Sequence, residues 1–458
     1  MLLHTDESIV AIATPPGKGA IAVVRLSGER AFELARKQIR LNQRELKART
    51  VYLGHFVDLQ GQILDEVLFV QFPGPNSYTG EDLVEISCHG SPVIAQNIVD
   101  TLLGLGACLA EPGEFTLRAV LHGKMDLLQA EGVQDLVEST TKLQAQQARN
   151  QLLGRLSSAL NSVRKDLLEL VCQLETRIEF VEEDLSLAPP EEVLTGLRKI
   201  DSELEELEKG FRDGQIVRDG IRVVLVGKPN VGKSSLFNKL LGSDSAIVTP
   251  IPGTTRDALR ETISLDGIPV TLIDTAGIRE EREDTVEHLG VERSIRNLKN
   301  ADLALFVVDR STPYNDEDDR IWKEIRELPY LLLVNKIDLE ESAKLPEGAV
   351  SRSLAKIEVS ALEGMNLSSV RSAIARYGYP ELRREEERPT MTRLRHKRCI
   401  EQAREELGTG ISNYAHEEGE EVALVNLRKA LEALGQLTGE VTTEEILKQV
   451  FASFCIGK

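Results

Sequence analysis

Cysteine is scarce and unpatterned in this chain. Its 458 residues include five, Cys88, Cys108, Cys172, Cys399 and Cys455, which form no C-x-x-C pair and no metal-ligand cluster with the seven histidines. A disulfide scaffold is excluded, and a reduced, cytoplasmic protein is expected. The N-terminus, Met1-Leu2-Leu3-His4-Thr5-Asp6-Glu7, lacks the basic segment and apolar core of an export signal. No apolar run approaches the roughly 20 residues that a membrane-spanning helix needs, so neither export nor a membrane span is expected. Positive charge is short as well, the formal net charge being −19. Generic polyanion binding depends on released counterions and excess Lys or Arg, so nucleic-acid contact must use a local patch or a partner's surface. The densest basic stretch, Arg393-Leu394-Arg395-His396-Lys397-Arg398, reads as a solvated helix face beside the acidic Glu385-Glu386-Glu387.

What the chain does contain is organised around Gly227-Lys228-Pro229-Asn230-Val231-Gly232-Lys233-Ser234, between the apolar run Ile221 to Val226 and the helix-like Leu236 to Leu241. Strand, glycine-rich turn and helix together make a phosphate cradle, because backbone N–H groups can close on phosphate oxygens only where no Cβ intervenes. Lys233 adds a point charge toward the β- and γ-phosphates, and the Ser234 hydroxyl can ligate Mg²⁺.

Three later stretches select the nucleotide. Asp274-Thr275-Ala276-Gly277 follows the strand-like Val270 to Ile273, placing a carboxylate for the Mg²⁺ shell and a glycine N–H for the γ-phosphate. Asn335-Lys336-Ile337-Asp338 ends the buried strand Leu331 to Val334, where Asp338 can accept two hydrogen bonds from a guanine edge. Sites built on such pairing reject the mismatched base by roughly 10⁴ or more, because a buried polar group would go unpaired. Ser360-Ala361-Leu362 follows the strand Ile357 to Val359 and would cover the base from its other side. Their order and placement mark a GTP site.

Residues 1–120 read as a mixed α+β domain, with strands at Ile9 to Ala13, Ala20 to Leu26, Val51 to Asp58, Val67 to Phe72 and Leu83 to Ser87. Helices are expected over Glu29 to Ile39 and Val93 to Leu103, and Pro73 to Asp82 forms a long polar loop. From Leu127 the pattern is helical. Leu156, Leu160, Val163, Leu167, Leu170, Leu174 and Ile178 recur at steps of three and four, as do Val193, Leu197, Ile200, Leu204, Leu207 and Phe211. Similar helices return after about residue 385, the last opened by a capping pair Thr442…Glu445. The expected architecture is an α/β P-loop GTPase domain, 216–380, inserted into an α-helical domain built from 121–215 and 381–458. A nucleotide-driven movement would then have two connections to travel through.

The residue after D-x-x-G orients water as a Gln in Ras-like GTPases, but here it is Ile278, which cannot. Either hydrolysis is very slow or another group does so, and the acidic stretch Glu280 to Glu287 offers candidate carboxylates. Asn230 inside the phosphate loop has an amide oxygen able to hold a monovalent cation against the phosphates.

With these features in view the chain resembles the MnmE (TrmE) family of tRNA-modification GTPases over essentially its whole length. The resemblance rests on Thr14-Pro15-Pro16-Gly17, Pro73-Gly74-Pro75-Asn76-Ser77 with Thr79-Gly80-Glu81-Asp82, Pro112-Gly113-Glu114-Phe115, Gly253-Thr254-Thr255-Arg256-Asp257 and the ending Phe454-Cys455-Ile456-Gly457-Lys458. It implies a homodimer joined through N-terminal domains that bind a tetrahydrofolate one-carbon donor, 5-formyl- or methylene-tetrahydrofolate. Arg25, Glu85 and Lys124 would line that folate pocket, with Lys458 reaching it and Cys455 in the same tail. It further implies a heterotetramer with the flavoprotein MnmG, which adds an aminomethyl or carboxymethylaminomethyl group at C5 of the wobble uridine of certain tRNAs.

In the GTP site the resemblance implies contacts from Asn230, Val231, Gly232, Lys233, Ser234 and Ser235, and from the loop Thr249, Pro250, Ile251, Pro252, Gly253, Thr254 and Thr255. Asp274, Thr275, Ala276 and Gly277, then Asn335, Lys336, Asp338, Ser360, Ala361 and Leu362, complete it. Mg²⁺ would fall to Ser234 and Thr255, and K⁺ to Asn230, Thr249, Ile251 and Thr254. Catalysis would fall to Lys233 and to Glu287, reached through Val286-Glu287-x-x-Gly290, as the GTP domains dimerise across the nucleotide. Two rival readings are a ribosome-assembly GTPase switch, which would show rRNA-dependent association and need no folate site, and a dynamin-like protein assembling on membranes. The lack of a basic or aromatic lipid-binding helix speaks against the latter.

Overall fold

The structure, a computed structural model, describes residues 7–41, 45–179, 189–242, 260–274, 301–378, 389–415, 419–441 and 443–458. Packing divides the chain into two compact units, one of Met1–Gln134, Gln151–Asp201 and Cys399–Lys458, the other of Asp135–Asn150 and Ser202–Arg398. The expected fold class holds: an α/β domain is inserted into helices and preceded by an α+β domain. Among the described residues no helix is long and apolar enough to cross a membrane.

In the first unit, strands β1 (Ile9–Ile12), β2 (Ile21–Ser27), β3 (Ile39–Leu41), β4 (Tyr52–Val57), β5 (Ile63–Phe72), β6 (Leu83–His89) and β7 (Cys108–Leu109) form one sheet in the order β3-β4-β5-β6-β2-β1-β7. All neighbours are antiparallel except β1 with β7. The helices Ala31–Gln38 and Pro92–Gly104 pack Leu34, Ile98 and Leu102 into the core with Val24, Phe69 and Ile86 of the strands. The short β3 and β7 lack an alternating pattern long enough to be read from sequence, as does the helix Glu114–Leu121. That helix packs through Leu117 against Val450, Phe451 and Phe454. At Gly113, φ is +70° and a Cβ would meet Phe454 and Phe451 at 2.8 and 2.9 Å, so only glycine lets the tail approach this turn.

The helix Arg155–Glu179 buries Leu156, Leu160, Val163, Leu167, Val171 and Leu174 and packs against the helix Glu420–Thr438. The buried row differs from the expected one in that Val171 lies inside, whereas Leu170 and Ile178 are half-buried at the stripe's margin. The last helix, Glu444–Phe451, is capped by a neighbour of the expected residue: the Thr443 hydroxyl accepts from the Ile446 N–H at 3.4 Å, while Thr442 lies outside the described residues.

In the second unit, β8 (Ile221–Val226), β9 (Arg260–Leu265), β10 (Ile268–Asp274), β11 (Leu303–Asp309), β12 (Tyr330–Asn335) and β13 (Ala355–Glu358) run in the order β13-β12-β11-β8-β10-β9, parallel except for β9. Every residue of β11 and β12 is buried, as unbroken apolar runs in a parallel sheet covered on both faces should be. Leu236, Leu240, Val370 and Ile374 cover one face, and Ile325 with Trp322 the other.

The two chain connections of this inserted sheet meet on one carboxylate. Asp135, its side chain 9% exposed, pairs with Arg218 Nε at 3.0 Å just before β8 and with Arg393 Nη2 at 2.7 Å, where the chain leaves the domain. Gly214 lets the helix Phe211–Asp219 press on the exit segment, since a Cβ there would lie 2.2 Å from the Met391 carbonyl oxygen. The expectation of a solvated basic face over Arg393 to Arg398 is therefore corrected in part: Arg398 is exposed, but Arg393 is ion-paired, His396 is fully buried and the Lys397 amine lies 5.6 Å from the Phe211 ring centroid. Asp135→Ala should cost about 3 kcal/mol, because two partly buried guanidinium groups lose a shared counter-charge. Urea denaturation followed by circular dichroism checks this; an unchanged midpoint would refute it.

Candidate functional site

Strand β8 enters the phosphate loop at Gly227, and the helix Lys233–Leu241 leaves it. The loop's shape depends on left-handed residues: Gly227 at φ +154°, Asn230 at +62° and Gly232 at +99°. A Cβ on Gly227 would come within 2.3 Å of the Val307 carbonyl oxygen, and one on Gly232 within 2.2 Å of Asn335 Nδ2. Asn tolerates the left-handed conformation better than other non-glycine residues, which suits Asn230 to the exposed turn. The Lys233 ammonium, nearly buried, donates to the carbonyls of Gly227 at 2.8 Å and Lys228 at 2.7 Å. Ser234 Oγ lies 3.0 Å from Asp274 Oδ2, so hydroxyl and carboxylate oxygens stand together where a hard cation would bind.

Asn335 holds this arrangement from behind. Its Nδ2 donates to the Val231 carbonyl at 2.7 Å, and its Oδ1 accepts from the Ala361 N–H at 2.9 Å. One side chain, 2% exposed, thus ties the phosphate loop to the segment Ser360-Ala361-Leu362. Asp338 is exposed three residues beyond Asn335. Lys336, at φ +65°, pairs with Asp309 Oδ2 at 2.6 Å. Ser360 and Ala361 are buried, whereas Leu362 is 74% exposed. Ser235 is exposed on the first turn after the loop. The predicted residues Thr249, Pro250, Ile251, Pro252, Gly253, Thr254, Thr255, Thr275, Ala276, Gly277 and Glu287 lie outside the described residues.

Sequence reasoning missed Asp309. Burial pushes its carboxyl pKa up, but hydrogen bonds from Lys336 and Ser311 outweigh that and hold it below the ordinary value. The available signal was a polar residue ending an apolar strand, the same one that marked Asp274 and Asn335.

A second constellation lies in the first unit. Arg25 and Glu85 face each other across β2 and β6, with Arg25 Nη2 2.6 Å and Nε 3.0 Å from Glu85 Oε1. The guanidinium carbon sits 5.6 Å from the Tyr78 ring centroid and 5.7 Å from that of Phe115, and Nη1 donates to the Gly457 carbonyl at 3.3 Å. Lys458 is half-buried, its amine pushed below the ordinary lysine value first by burial and then by the charge of Arg25. The tail can close here because Gly457, at φ +91°, leaves room beside the Ile12 carbonyl, 2.5 Å from where a Cβ would stand. Lys124 instead donates to the Pro75 carbonyl at 2.8 Å, on the loop that carries Tyr78, and Cys455 is exposed. That loop is pinned from inside: Thr79 is buried against Ser27 Oγ at 2.7 Å, and the buried Arg118 reaches Glu81 at 3.1 Å. Tyr78, Phe115 and Gly457 could not have been chosen from sequence spacing, because they converge only through the fold.

Two family models match: one described as the GTP-binding protein TrmE N-terminus over residues 8–124, the other as the MnmE helical domain over residues 127–455. Three similar relatives are each named tRNA modification GTPase MnmE. The protein of Aquifex aeolicus (strain VF5) is 43% identical, with 99% of this chain and 100% of the relative covered. That of Koribacter versatilis (strain Ellin345) is 41% identical over 100% of both chains. That of Thermotoga maritima is 38% identical, covering 99% of this chain and 100% of the relative.

Gly232→Ala tests the glycine cradle. It forces a side chain into the left-handed region, at roughly 1–2 kcal/mol, and drives a methyl group into the Asn335 amide. Thermal denaturation should fall by several degrees and fluorescent GDP should no longer bind; unchanged binding would contradict the geometry.

Proposed function

The chain belongs to the MnmE family of tRNA modification GTPases, and from that premise we propose that it is a K⁺-stimulated, dimerisation-activated GTPase acting with the flavoprotein MnmG on the wobble uridine of certain tRNAs. In this reading residues 1–120 bind a tetrahydrofolate derivative and dimerise, 216–380 bind GTP, and 121–215 with 381–458 form the helical domain. The protein works in the cytoplasm as a homodimer, in a heterotetramer with MnmG. The observation that carries the reading is the closure of Gly457 and Lys458 onto Arg25 in a chain that also holds the stapled phosphate loop.

The residues fit the groups they would hold. Ser234 and Asp274 present two hard oxygens to a Mg²⁺, with Thr255 as a further ligand, and the ion would neutralise charge shared by the β- and γ-phosphates. Lys233 stands on the carbonyls of Gly227 and Lys228, so its charge is directed at the phosphates with little freedom to reorient. Asn230, exposed at the turn, is the side-chain ligand proposed for K⁺, with Thr249, Ile251 and Thr254 completing the set. Asp338 accepts from guanine, and Glu287 orients the attacking water that Ile278 cannot. In the folate pocket the Arg25 guanidinium, close to the rings of Tyr78 and Phe115 and paired with Glu85, offers donors to a polar ligand edge.

A cation beside the phosphates replaces an arginine finger, an element worth roughly 10³ to 10⁵ in rate. GTP hydrolysis should be far faster in K⁺ than in Na⁺ at equal ionic strength, and Asn230→Ala should remove most of the difference. Equal rates in the two salts would sink the cation assignment. Independently, Arg25→Glu in the full chain should abolish binding of 5-formyl-tetrahydrofolate in calorimetry while leaving fluorescent GDP binding intact. Retained folate heat would move the pocket elsewhere.

A further inference from the structure

The phosphate loop is tethered by a second buried interaction that its nucleotide contacts do not require. Lys228, the second residue of the loop, places Nζ 2.6 Å from Asp318 Oδ2 and 3.5 Å from Asn315 Oδ1. The lysine side chain is 11% exposed and the aspartate 0%. Asp318 lies in the first turn of the helix Asp316–Ile325, where a carboxylate is favoured by the helix dipole, and its Oδ2 also accepts from the Asn315 N–H at 3.1 Å in a capping box. Its Oδ1 has no hydrogen-bond partner among the described residues, so the Lys228 ammonium is the charge that compensates a fully buried carboxylate.

Lys228 cannot shift without consequence. It precedes Pro229, which disfavours the helical region for its backbone. Its own carbonyl, with that of Gly227, receives the Lys233 ammonium at 2.7 and 2.8 Å. The other end of the same segment is held too. Asp309 pairs with Lys336 at 2.6 Å, and the Arg310 N–H donates to the Asn335 carbonyl at 2.9 Å. The stretch from Asp309 to Asp318 therefore braces the base-side motif at one end and the phosphate loop at the other.

We propose that Lys228 and Asp318 are a positioning pair that sets nucleotide affinity by fixing the carbonyl platform on which Lys233 stands. The proposal rests on the nucleotide-site reading given above. A buried ion pair can serve as plain packing, so the test separates stability from binding. Lys228→Met leaves Asp318 buried without its counter-charge and should lower the melting temperature. The double variant Lys228→Met with Asp318→Leu removes both charges and should recover it, since apolar replacement of a buried pair is commonly neutral or stabilising.

Fluorescent GDP is titrated into the full-length wild type and each variant. At restored thermal stability the double variant should still bind about tenfold more weakly, as is typical of energetically coupled sites. Asp318→Asn, which keeps the shape of the helix cap, should weaken binding at least about threefold and decides the matter if the double variant does not fold. Wild-type affinity in the stable double variant, or in Asp318→Asn when that variant decides, overturns the positioning role alone. Absence of binding by the wild type overturns the nucleotide-site reading and this proposal with it.

Discussion

The side-chain amide of Asn335 is buried and engaged at both ends, donating to the Val231 carbonyl and accepting from the Ala361 N–H. Those backbone groups belong to loops far apart in sequence, and both residues are buried. A buried polar group left unmade costs about 1–3 kcal/mol, so the amide constrains the phosphate side and the base side of the site to one relative position. Gly232 is glycine because this amide occupies the space its side chain would need. The placements of Lys233, of the Ser234–Asp274 oxygen pair and of the Ser360 segment all rest on that contact.

The sheet behind it makes the contact rigid. β8, β11 and β12 are buried along nearly their whole length, and their C-terminal ends deliver Gly227, Asp309 and Asn335 to one edge. Parallel strands with helices on both faces leave polar groups only at such edges, which is where ligands of open α/β sheets bind. Asp309 and Asp318 extend the same logic. Each is a buried carboxylate whose charge is met by a lysine from a neighbouring loop, so the loops are fixed by electrostatics where apolar packing ends.

The first unit assembles its candidate pocket differently. Arg25 is held by a cross-strand carboxylate, two aromatic rings and a backbone carbonyl from the end of the chain. The tail reaches it because Phe451 and Phe454 anchor beside Leu117, and because Gly113 and Gly457 permit two close backbone approaches. The depressed basicity of Lys458 follows from burial and from the like charge of Arg25.

The sequence by itself determined the strand, glycine turn and helix of the phosphate loop, the long amphipathic helices and the order of the fold's parts. Each depends on local spacing: glycines where a Cβ cannot fit, apolar residues at helical or strand periods, and motifs at the ends of buried strands. Only the tertiary structure decided that Asn335 is a staple between loops, that Asp135 gathers Arg218 and Arg393 from both connections of the inserted sheet, and that Arg393, His396 and Lys397 are packed while Arg398 stays exposed. It likewise decided that Tyr78, Phe115 and Gly457 surround Arg25 while Lys124 serves the Pro75 carbonyl. The physical reason is common to all of these. A charge or an amide looks the same in sequence whether it faces water or a partner hundreds of residues away, and burial, which only the fold confers, makes that partner obligatory.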